Sequence, residues 1–366
     1  MEFNHLSFYV DAVAPWRDRF VKHWGGVWAG PEVGNGQPSD RLALVYVGRV
    51  PLLIVAAPDI VGDYLQHHPP GIGDVALRVI DLEQTLGQVA SAGGVVVQPP
   101  QVDPWGRGRW GKIRGWGSLS HTLLESWQPE NWVPGIAPGD CSTAGSGGVL
   151  ITAIDHAVVN VPTGELSQAI AWYASQLGFQ PRQRFTIDTP RSGLRSQVLA
   201  HPQGSAQLPI NEPATANSQV QEFLDYNRGG GIQHVALHTE DIVHTVGRLR
   251  AGGVKFLPVP PSYYEALRQR PGYQINGSSE RLCQREAAIA QLQILVDWEP
   301  HLPQARLLQT FTQPLLSIPT IFFELIQRQV VQVKEKDVQA QGFGERNFQA
   351  LFEAIEREQM KRGSLA

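Results

Sequence analysis

The sequence predicts an α+β protein built from two similar halves, and two internal repeats support this prediction. Residues 71–77 (GIGDVAL) match residues 231–237 (GIQHVAL), with Asp74 in the first copy where the second has His234. Residues 4–10 match residues 155–161, and each stretch precedes a run with helical spacing that ends in glycine. Repeats of this kind indicate duplicated structural units. Each half should therefore hold two units that open with an apolar strand and continue into an amphipathic helix.

Apolar residues alternate in strands and recur every three or four positions in amphipathic helices, and these periods give the element order. The elements predicted for the first half are a strand over 5–10, a helix over 15–24, strands over 41–47 and 52–56 joined by a hairpin at 48–51, the repeated strand from Gly71, and a strand over 121–127. Those predicted for the second half are a strand with His156, a helix over 165–177, strands over 196–200 and 207–211, a helix over 219–226, the strand with His234, a helix over 241–251, a Pro-rich loop into Tyr263 and Tyr264, strands over 292–296, 306–312 and 320–327, and an amphipathic helix over 346–361.

Residues 138–148 have the composition of a linker, because glycine, serine and threonine dominate them. We therefore expect an N-terminal domain over 1–137 and a C-terminal domain over 149–366. Cys141 in this linker and Cys283 in a predicted helix form neither a disulfide framework nor a zinc site.

The composition is that of a globular protein, with 366 residues of which 42% are hydrophobic and 17% charged. The formal net charge of -4 gives no basic footprint for a nucleic-acid partner. The N-terminus lacks a basic stretch followed by an apolar one, and no apolar run is long enough to span a membrane. We expect a cytoplasmic protein with no nucleic-acid or membrane partner.

Two histidines and one glutamate stand out on predicted apolar strands of the second half: His156, His234 and Glu324. A carboxylate within an apolar strand costs several kcal/mol unless a metal ion or a partner compensates it. Two imidazoles and one carboxylate on three strands around one cavity form the facial triad that binds non-haem Fe(II). The sequence thus predicts one Fe(II) per chain. The alternative is that the histidines are hydrogen-bonded core residues and that Glu324 pairs with an arginine such as Arg328.

Several polar residues share a strand face with residues that could line the same cavity, because positions i and i+2 point to one side. These pairs are Ser196 with Val198, Pro209 with Asn211, Gln309 with Phe311, and Phe322 with Glu324.

The first half offers an internal control. There the corresponding positions are His5, Asp74 and Glu125, and the neighbouring strand 52–56 is apolar. Polar cavity residues thus occur only in the second copy. We predict that the first half is a scaffold without a catalytic metal; the alternative is a second metal site formed by His5, Asp74 and Glu125.

A set of motifs in the second half supports a family resemblance. The motifs are IDH at 154–156, PINEP at 209–213, GIQHVA at 231–236, Tyr263 with Tyr264, LLQTFT at 307–312, FFELIQR at 322–328, and the stretch from Gly342 to Gly363. In these motifs the chain resembles the 4-hydroxyphenylpyruvate dioxygenases of the vicinal oxygen chelate superfamily, firmly over residues 154–365. The family usually has a glycine where this chain has Arg346.

The resemblance implies four βαβββ modules paired into two open β-barrels, Fe(II) in the C-terminal barrel, and a C-terminal lid helix. It assigns the iron ligands to His156, His234 and Glu324. It also implies a polar network around the substrate, formed by Ser196, Asn211, Gln219, Gln233 and Gln309. The apolar walls of the site would be Pro209, Phe311, Phe322, Phe343 and Phe348.

The implied reaction converts 4-hydroxyphenylpyruvate and O₂ to homogentisate and CO₂, as in tyrosine catabolism or quinone and tocopherol precursor supply. The expected partners are a 2-oxo acid substrate, O₂ and a second copy of the chain in a homodimer. Two alternatives remain: a hydroxymandelate synthase on the same scaffold, and a metal-free small-molecule-binding protein.

Overall fold

The computed structural model describes residues 1–30, 32–33, 37–127, 132–137, 151–273 and 280–365, and these residues contain two sheets of eight strands each. The predicted α+β class is confirmed, and the two mixed sheets correspond to the two predicted open barrels. The predicted linker 138–148 and Cys141 lie outside the described residues, so the domain boundary stays a prediction.

The described elements of the N-terminal half are β1 (Glu2–Tyr9), α1 (Val13–Trp24), β2 (Val27–Trp28), β3 (Glu32–Val33), β4 (Gln37–Pro38), β5 (Leu42–Val47), β6 (Val50–Val55), α2 (Pro58–His67), β7 (Gly71–Arg78), α3 (Leu82–Ser91), β8 (Val96–Val102), β9 (Gly108–Arg114) and β10 (Ser120–Ser126).

Those of the C-terminal half are β11 (Ile151–Asn160), α4 (Leu166–Leu177), β12 (Gln180–Asp188), β13 (Gly193–Ala200), β14 (Gln207–Pro213), α5 (Gln219–Asn227), β15 (Gly231–Thr239), α6 (Ile242–Ala251), α7 (Pro261–Gln269), α8 (Glu280–Gln291), β16 (Leu295–Trp298), β17 (Arg306–Phe311), β18 (Phe322–Arg328), β19 (Val330–Val333), β20 (Lys336–Gln339) and α9 (Glu345–Arg362).

The two large sheets have the same topology. Their strand orders are β2-β5-β6-β1-β7-β10-β9-β8 and β12-β13-β14-β11-β15-β18-β17-β16. At the centre of each sheet, an antiparallel pair (β1 with β7, or β11 with β15) is flanked on both sides by parallel pairs. Every strand of the first sheet therefore has a counterpart in the second, which confirms the duplication and its four βαβββ units.

The residues that repeat in the sequence include helix caps. Asp81 and Asp241 are the N-caps of α3 and α6, and their carboxylates accept from the backbone N–H of Gln84 and His244. Gly25 and Gly178 end α1 and α4 in the left-handed conformation, with φ of 66° and 71°. Duplicated caps hold duplicated helices at the same length.

The two halves share one apolar core, in which Phe323 of β18 is central. The Phe323 ring centroid lies 4.8 Å from that of Trp24 and 6.2 Å from that of Phe20, both on α1 of the N-terminal half. Phe323 is fully buried. Because neighbouring residues in a strand point to opposite faces, Phe322 and Glu324 point away from this contact.

The structure departs from two local predictions. The predicted Pro-rich loop ends at Pro260, and Tyr263 and Tyr264 lie in a helix, α7, that the sequence analysis did not predict, because Pro261 occupies the first turn of a helix, where proline is tolerated. The first hairpin is tighter than 48–51, since β6 begins at Val50, and Gly48 supplies the positive φ of 60° that the turn needs.

None of the helices among the described residues combines the length and the apolar character that a membrane span requires.

Candidate metal centre

Three adjacent strands in the middle of the second sheet present His156, His234 and Glu324 to one space. Ala236 of β15 pairs with His156 of β11 on one side and with Glu324 of β18 on the other. His234 lies two residues before Ala236, so it shares that residue's face. The strand register thus brings together residues that are up to 168 positions apart in the chain.

The three side chains form a compact group of possible metal ligands. Glu324 Oε2 lies 3.4 Å from His156 Nε2 and 3.6 Å from His234 Nε2, and the candidate ligand atoms all lie within 4.8 Å of one another. All three residues are buried. Two imidazole nitrogens and one carboxylate oxygen are the donors of a facial metal triad.

The electrostatics of this group favour a charged carboxylate. Burial raises the pKa of the Glu324 carboxyl. The attraction and hydrogen bonds of His156 and His234 have the larger, opposite effect and lower this pKa to about 2. Burial lowers the pKa of His234. For His156 burial also acts downward, but Glu324 and Asp155 outweigh it and raise the pKa to about 9. A buried anion facing two imidazoles is an environment that attracts a cation.

Both histidines are oriented from behind by their Nδ1 atoms. His156 Nδ1 donates to Asp155 Oδ1 at 2.8 Å, and His234 Nδ1 donates to Gln233 Oε1 at 3.3 Å. Such contacts fix the tautomer that leaves Nε2 as the ligand atom. Asp155 in turn forms a bidentate ion pair with Arg328, at 2.7 and 2.8 Å. Arg328 therefore does not pair with Glu324, which was the alternative drawn from the sequence.

Glu324 is also held from outside the triad. Gln309 Nε2 donates to Glu324 Oε1 at 2.8 Å, and Gln309 Oε1 accepts from Asn347 Nδ2 of α9 at 2.8 Å. Tyr263 Oη donates to Asn347 Oδ1 at 3.0 Å. This chain of hydrogen bonds connects a candidate ligand to the first turn of the last helix.

A small cavity opens onto the triad. Seven of the ten predicted polar and apolar site residues line it: Ser196, Pro209, Asn211, Gln309, Phe311, Phe343 and Phe348. Phe185 lines it as well and was missed by the sequence analysis, although its apolar position in the alternating stretch 184–187 was the available signal. The predicted same-face sets on β13, β14 and β17 thus point into this cavity.

Gln219, Gln233 and Phe322 do not line this cavity. They line an adjoining cleft of about 270 Å³ between α5, α9 and the loop over 312–320. Phe322 lies next to the cavity as well, since its ring stacks on that of His234, which lines the cavity, with centroids 4.7 Å apart. Gln233 does not line the cavity, but its Oε1 accepts from His234 Nδ1 at 3.3 Å, because a register shift between β11 and β15 at this point interrupts the regular alternation of side chains.

One buried polar atom in the cavity has no donor among the described residues. Asn211 Nδ2 donates to Asn160 Oδ1 at 3.3 Å, whereas Asn211 Oδ1 is buried without a hydrogen bond. Buried polar atoms in native proteins are nearly always paired, so such an atom marks a place for a ligand or a water molecule.

Comparisons with known proteins agree with this geometry. Residues 153–270 match the Glyoxalase/Bleomycin resistance protein/Dioxygenase superfamily. The chain is 38% identical to the 4-hydroxyphenylpyruvate dioxygenase of Caenorhabditis briggsae over 320 residues, which cover 83% of this chain and 77% of that protein. It is 37% identical to the enzyme of the same name from Yarrowia lipolytica over 316 residues, which cover 82% and 76%. The chain belongs to the 4-hydroxyphenylpyruvate dioxygenase family.

A solved structure related to this family shows the same architecture. A mutant of 4-hydroxymandelate synthase from Streptomyces coelicolor superposes with a TM-score of 0.77 at 25% identity, covering 98% of both chains. Membership in the family confirms the predicted resemblance and an enzymatic role, and it agrees with a metal site at the triad.

The N-terminal counterpart of the family's metal position contains a lysine. Asp74 occupies the place of His234, and its carboxylate lies 2.8 Å from Lys112 Nζ and accepts from Thr122 Oγ1 at 2.7 Å. The strand register places Thr122, not Glu125, opposite Ala76 as Glu324 lies opposite Ala236. Glu125 instead binds Arg109 and the backbone of Leu82. Its predicted equivalence to Glu324 was therefore wrong, because register cannot be counted from the sequence alone.

Proposed function

We propose that this chain is an Fe(II)-dependent dioxygenase that converts 4-hydroxyphenylpyruvate and O₂ to homogentisate and CO₂. The observation that carries the proposal is the buried triad of His156, His234 and Glu324 at the end of an aromatic-walled cavity, in a chain of this family. We further propose that Ser196, Asn211 and Gln309 bind the substrate's polar groups.

The residues present fit a divalent metal ion. The Nε2 atoms of His156 and His234 face Oε2 of Glu324, and both imidazoles are oriented through Nδ1. The Glu324 carboxylate carries a negative charge. The three protein ligands leave further positions for substrate and O₂, as in other non-haem iron sites. When bound there, iron supplies Lewis-acid charge and O₂ activation for the oxidation of a 2-oxo acid.

The residues that line the cavity match the chemical character of the proposed substrate. No lysine or arginine is among the described residues that line it, so the carboxylate of a 2-oxo acid has the metal ion as its positive partner. The unpaired Asn211 Oδ1 can accept a hydrogen bond from the phenol hydroxyl. Phe311 and Phe343 provide flat apolar contacts for an aromatic ring.

The last helix supplies the cover of the site in this proposal. Phe343 lies in the segment before α9 and Phe348 in the first turn of α9, and both line the cavity. Their rings lie 6.4 and 6.2 Å from Phe185, centroid to centroid. Aromatic side chains at this position exclude water from a reactive centre, which is a common task of lids.

The deciding experiment combines metal content with product structure. The protein is purified without oxygen, loaded with Fe(II), and given 4-hydroxyphenylpyruvate and O₂. We expect one iron per chain, substrate-dependent O₂ uptake and homogentisate. Homogentisate and hydroxymandelate are isomers, so mass alone cannot distinguish them. NMR can, because homogentisate has a dihydroxylated ring and hydroxymandelate has a CHOH carbon.

The alternatives predict different results in the same experiment. A hydroxymandelate synthase gives the CHOH signal. This alternative is tested because the chain is similar in structure to a 4-hydroxymandelate synthase mutant. A metal-free binding protein retains no iron and consumes no O₂. Either result would overturn the proposal.

We also propose the domain limits 1–137 and 149–366, a homodimer and a cytoplasmic location. Limited proteolysis should cut within 138–148, and light scattering should give twice the chain mass. Cell fractionation tests the location.

A further inference from the structure

We infer that Arg328 couples the metal centre to the hinge of α9, so that metal binding and the order of the hinge stabilise each other. The inference concerns residues 340–344, which we call the hinge segment. It rests on the metal centre proposed above and adds a positioning role for Arg328 and Asp155.

On one side, Arg328 holds the carboxylate that orients His156. Its Nε donates to Asp155 Oδ2 at 2.7 Å and its Nη2 donates to Asp155 Oδ1 at 2.8 Å. Asp155 Oδ1 also accepts from His156 Nδ1 at 2.8 Å. The Asp155 carboxylate therefore has its position set by Arg328, and it sets the plane and the tautomer of His156.

On the other side, Arg328 binds the hinge segment. Its Nη1 donates to the carbonyl oxygen of Gly342 at 2.8 Å and to that of Ala340 at 3.3 Å. The guanidinium carbon also lies 6.0 Å from the ring centroid of Phe343, and that ring contacts His156 edge-on at 5.1 Å. The hinge segment thus contacts the candidate ligand both through Arg328 and directly through Phe343.

The side chain at this position has to be arginine for geometric reasons. The side chains of Arg328 and Asp155 are each only 8% exposed, so each polar atom needs a protein partner. A planar guanidinium can donate to a carboxylate along one edge and to two carbonyl groups at another corner. A lysine ammonium is a single point and cannot span both sets of acceptors.

Two further hydrogen bonds hold the backbone of the hinge segment: the N–H of Ala340 donates to the carbonyl oxygen of Gln329 at 2.8 Å, and the carbonyl oxygen of Phe343 accepts from Gln309 Nε2 at 3.2 Å. Gly342 and Gly344 both have positive φ, at 79° and 66°, and Gly344 is the N-cap of α9 without a side-chain cap. Glycine orders at a higher entropic cost than other residues. A contact that orders this segment therefore changes how often α9 covers the cavity.

Linkage makes the coupling reciprocal. If a metal ion at His156 holds the Asp155 and Arg328 pair in place, it also holds the hinge segment. Loss of the pair should then weaken metal binding, and contacts behind metal-ligating histidines typically contribute about 10- to 100-fold in affinity.

The test compares the parent protein with Arg328→Met and Arg328→Lys. Arg195→Met is the matched control. Arg195 lies on β13 of the same sheet, pairs with Glu212, and has a half-exposed side chain. Two quantities are measured: the affinity for Co(II) or Fe(II) by anaerobic titration, and backbone hydrogen exchange over 340–348 with and without metal.

We expect metal to slow hydrogen exchange over 340–348 in the parent and in Arg195→Met. Arg328→Met should bind metal at least tenfold more weakly and should lose this metal-dependent protection. Arg328→Lys should lie near Arg328→Met rather than near the parent.

Two results would overturn the inference. The first is parent protein that binds metal but shows the same exchange over 340–348 with and without it, a result that needs no variant and so holds even if Arg328→Met fails to fold. The second is unchanged metal affinity in a folded Arg328→Met. A parent that binds no metal would instead refute the proposed function, and this inference with it.

Discussion

Gln309 donates its amide nitrogen to Oε1 of Glu324 at 2.8 Å, while Oε2 of the same carboxylate faces both histidines. The amide therefore selects which oxygen of Glu324 is presented to a metal ion. Gln309 is itself fixed by Asn347, so the choice depends on α9 being docked.

We predict that Gln309→Leu weakens metal binding by roughly 10- to 100-fold, because contacts of this kind orient the ligand carboxylate. Anaerobic titration with Fe(II) or Co(II) measures the change. Gln197→Leu is a suitable control, since the amide of Gln197 on β13 binds backbone carbonyls away from the triad. Equal affinity in Gln309→Leu and the parent would contradict the orienting role.

His234→Ala should abolish metal binding and turnover, because it removes one of three proposed protein ligands. His238→Ala is the matched control on the same strand, where His238 Nδ1 bonds to Thr152 Oγ1 at 2.7 Å. Iron analysis and O₂ uptake report both variants. Stoichiometric, tightly bound iron with a normal rate in His234→Ala would rule out the ligand assignment.

The Phe348→Ala variant should consume more O₂ per molecule of product than the parent does, because a smaller side chain over the cavity admits water to the reaction. The ratio of O₂ consumed to homogentisate formed is the measurement. Tyr226→Ala, at an exposed aromatic on α5, should keep the ratio of the parent. If Phe348→Ala keeps full coupling, α9 does not protect the reaction.

Asp297 acts as a substitute cap for α9. Its Oδ2 accepts from the backbone N–H of Arg346 at 3.1 Å, and its Oδ1 accepts from Arg346 Nη1 at 3.1 Å and from Arg270 Nη2 at 2.5 Å. We predict that Asp297→Ala costs about 1–2 kcal/mol, as loss of an N-cap does. Arg346→Ala should cost less than about 1 kcal/mol, because its side chain is half exposed. Denaturant unfolding tests this order, and a larger loss in Arg346→Ala would contradict it.

The stability of the N-terminal half should fall with acid partly because of His5. Burial lowers the pKa of His5 to about 4, despite the opposing attraction of Asp74. Between pH 6.5 and 4 the unfolded chain binds a proton at this residue and the folded one does not, so the stabilisation is complete above pH 6.5 and is lost as the pH falls towards 4. His5→Gln should show a shallower loss of unfolding free energy over this window. A slope identical to that of the parent would contradict the prediction.

The sequence predicted the duplication and the triad because both leave local marks. Caps such as Asp81 and Asp241 recur at matching places, and Glu324 interrupts an apolar strand, where a carboxylate is costly. Strand alternation then placed Ser196 and Asn211 on the cavity side, where the structure has them.

Other features had no local mark. The partner of Asp155 is 173 residues away, and no period in the sequence relates Asp155 to Arg328. The register of β10 against β7 depends on backbone pairing, so Glu125 was chosen where Thr122 lies. The family resemblance assigned Gln219 and Gln233 to the network around the substrate, whereas the structure places both on the adjoining cleft together with Phe322.

The buried carboxylates of Asp74 and Glu324 differ in the source of the positive charge that balances them. For Asp74 it is the ammonium of Lys112. Asp74 keeps a pKa of about 2 because Lys112 and Thr122 outweigh the effect of its burial. This cation is encoded in the chain, cannot diffuse away and is present as soon as the polypeptide has been made. In the function proposed above, the carboxylate of Glu324 instead receives its cation from solution, as a metal ion. The first copy of the duplicated unit thus has its positive charge encoded in the sequence, whereas the proposed role of the second copy depends on the supply of metal in the cell.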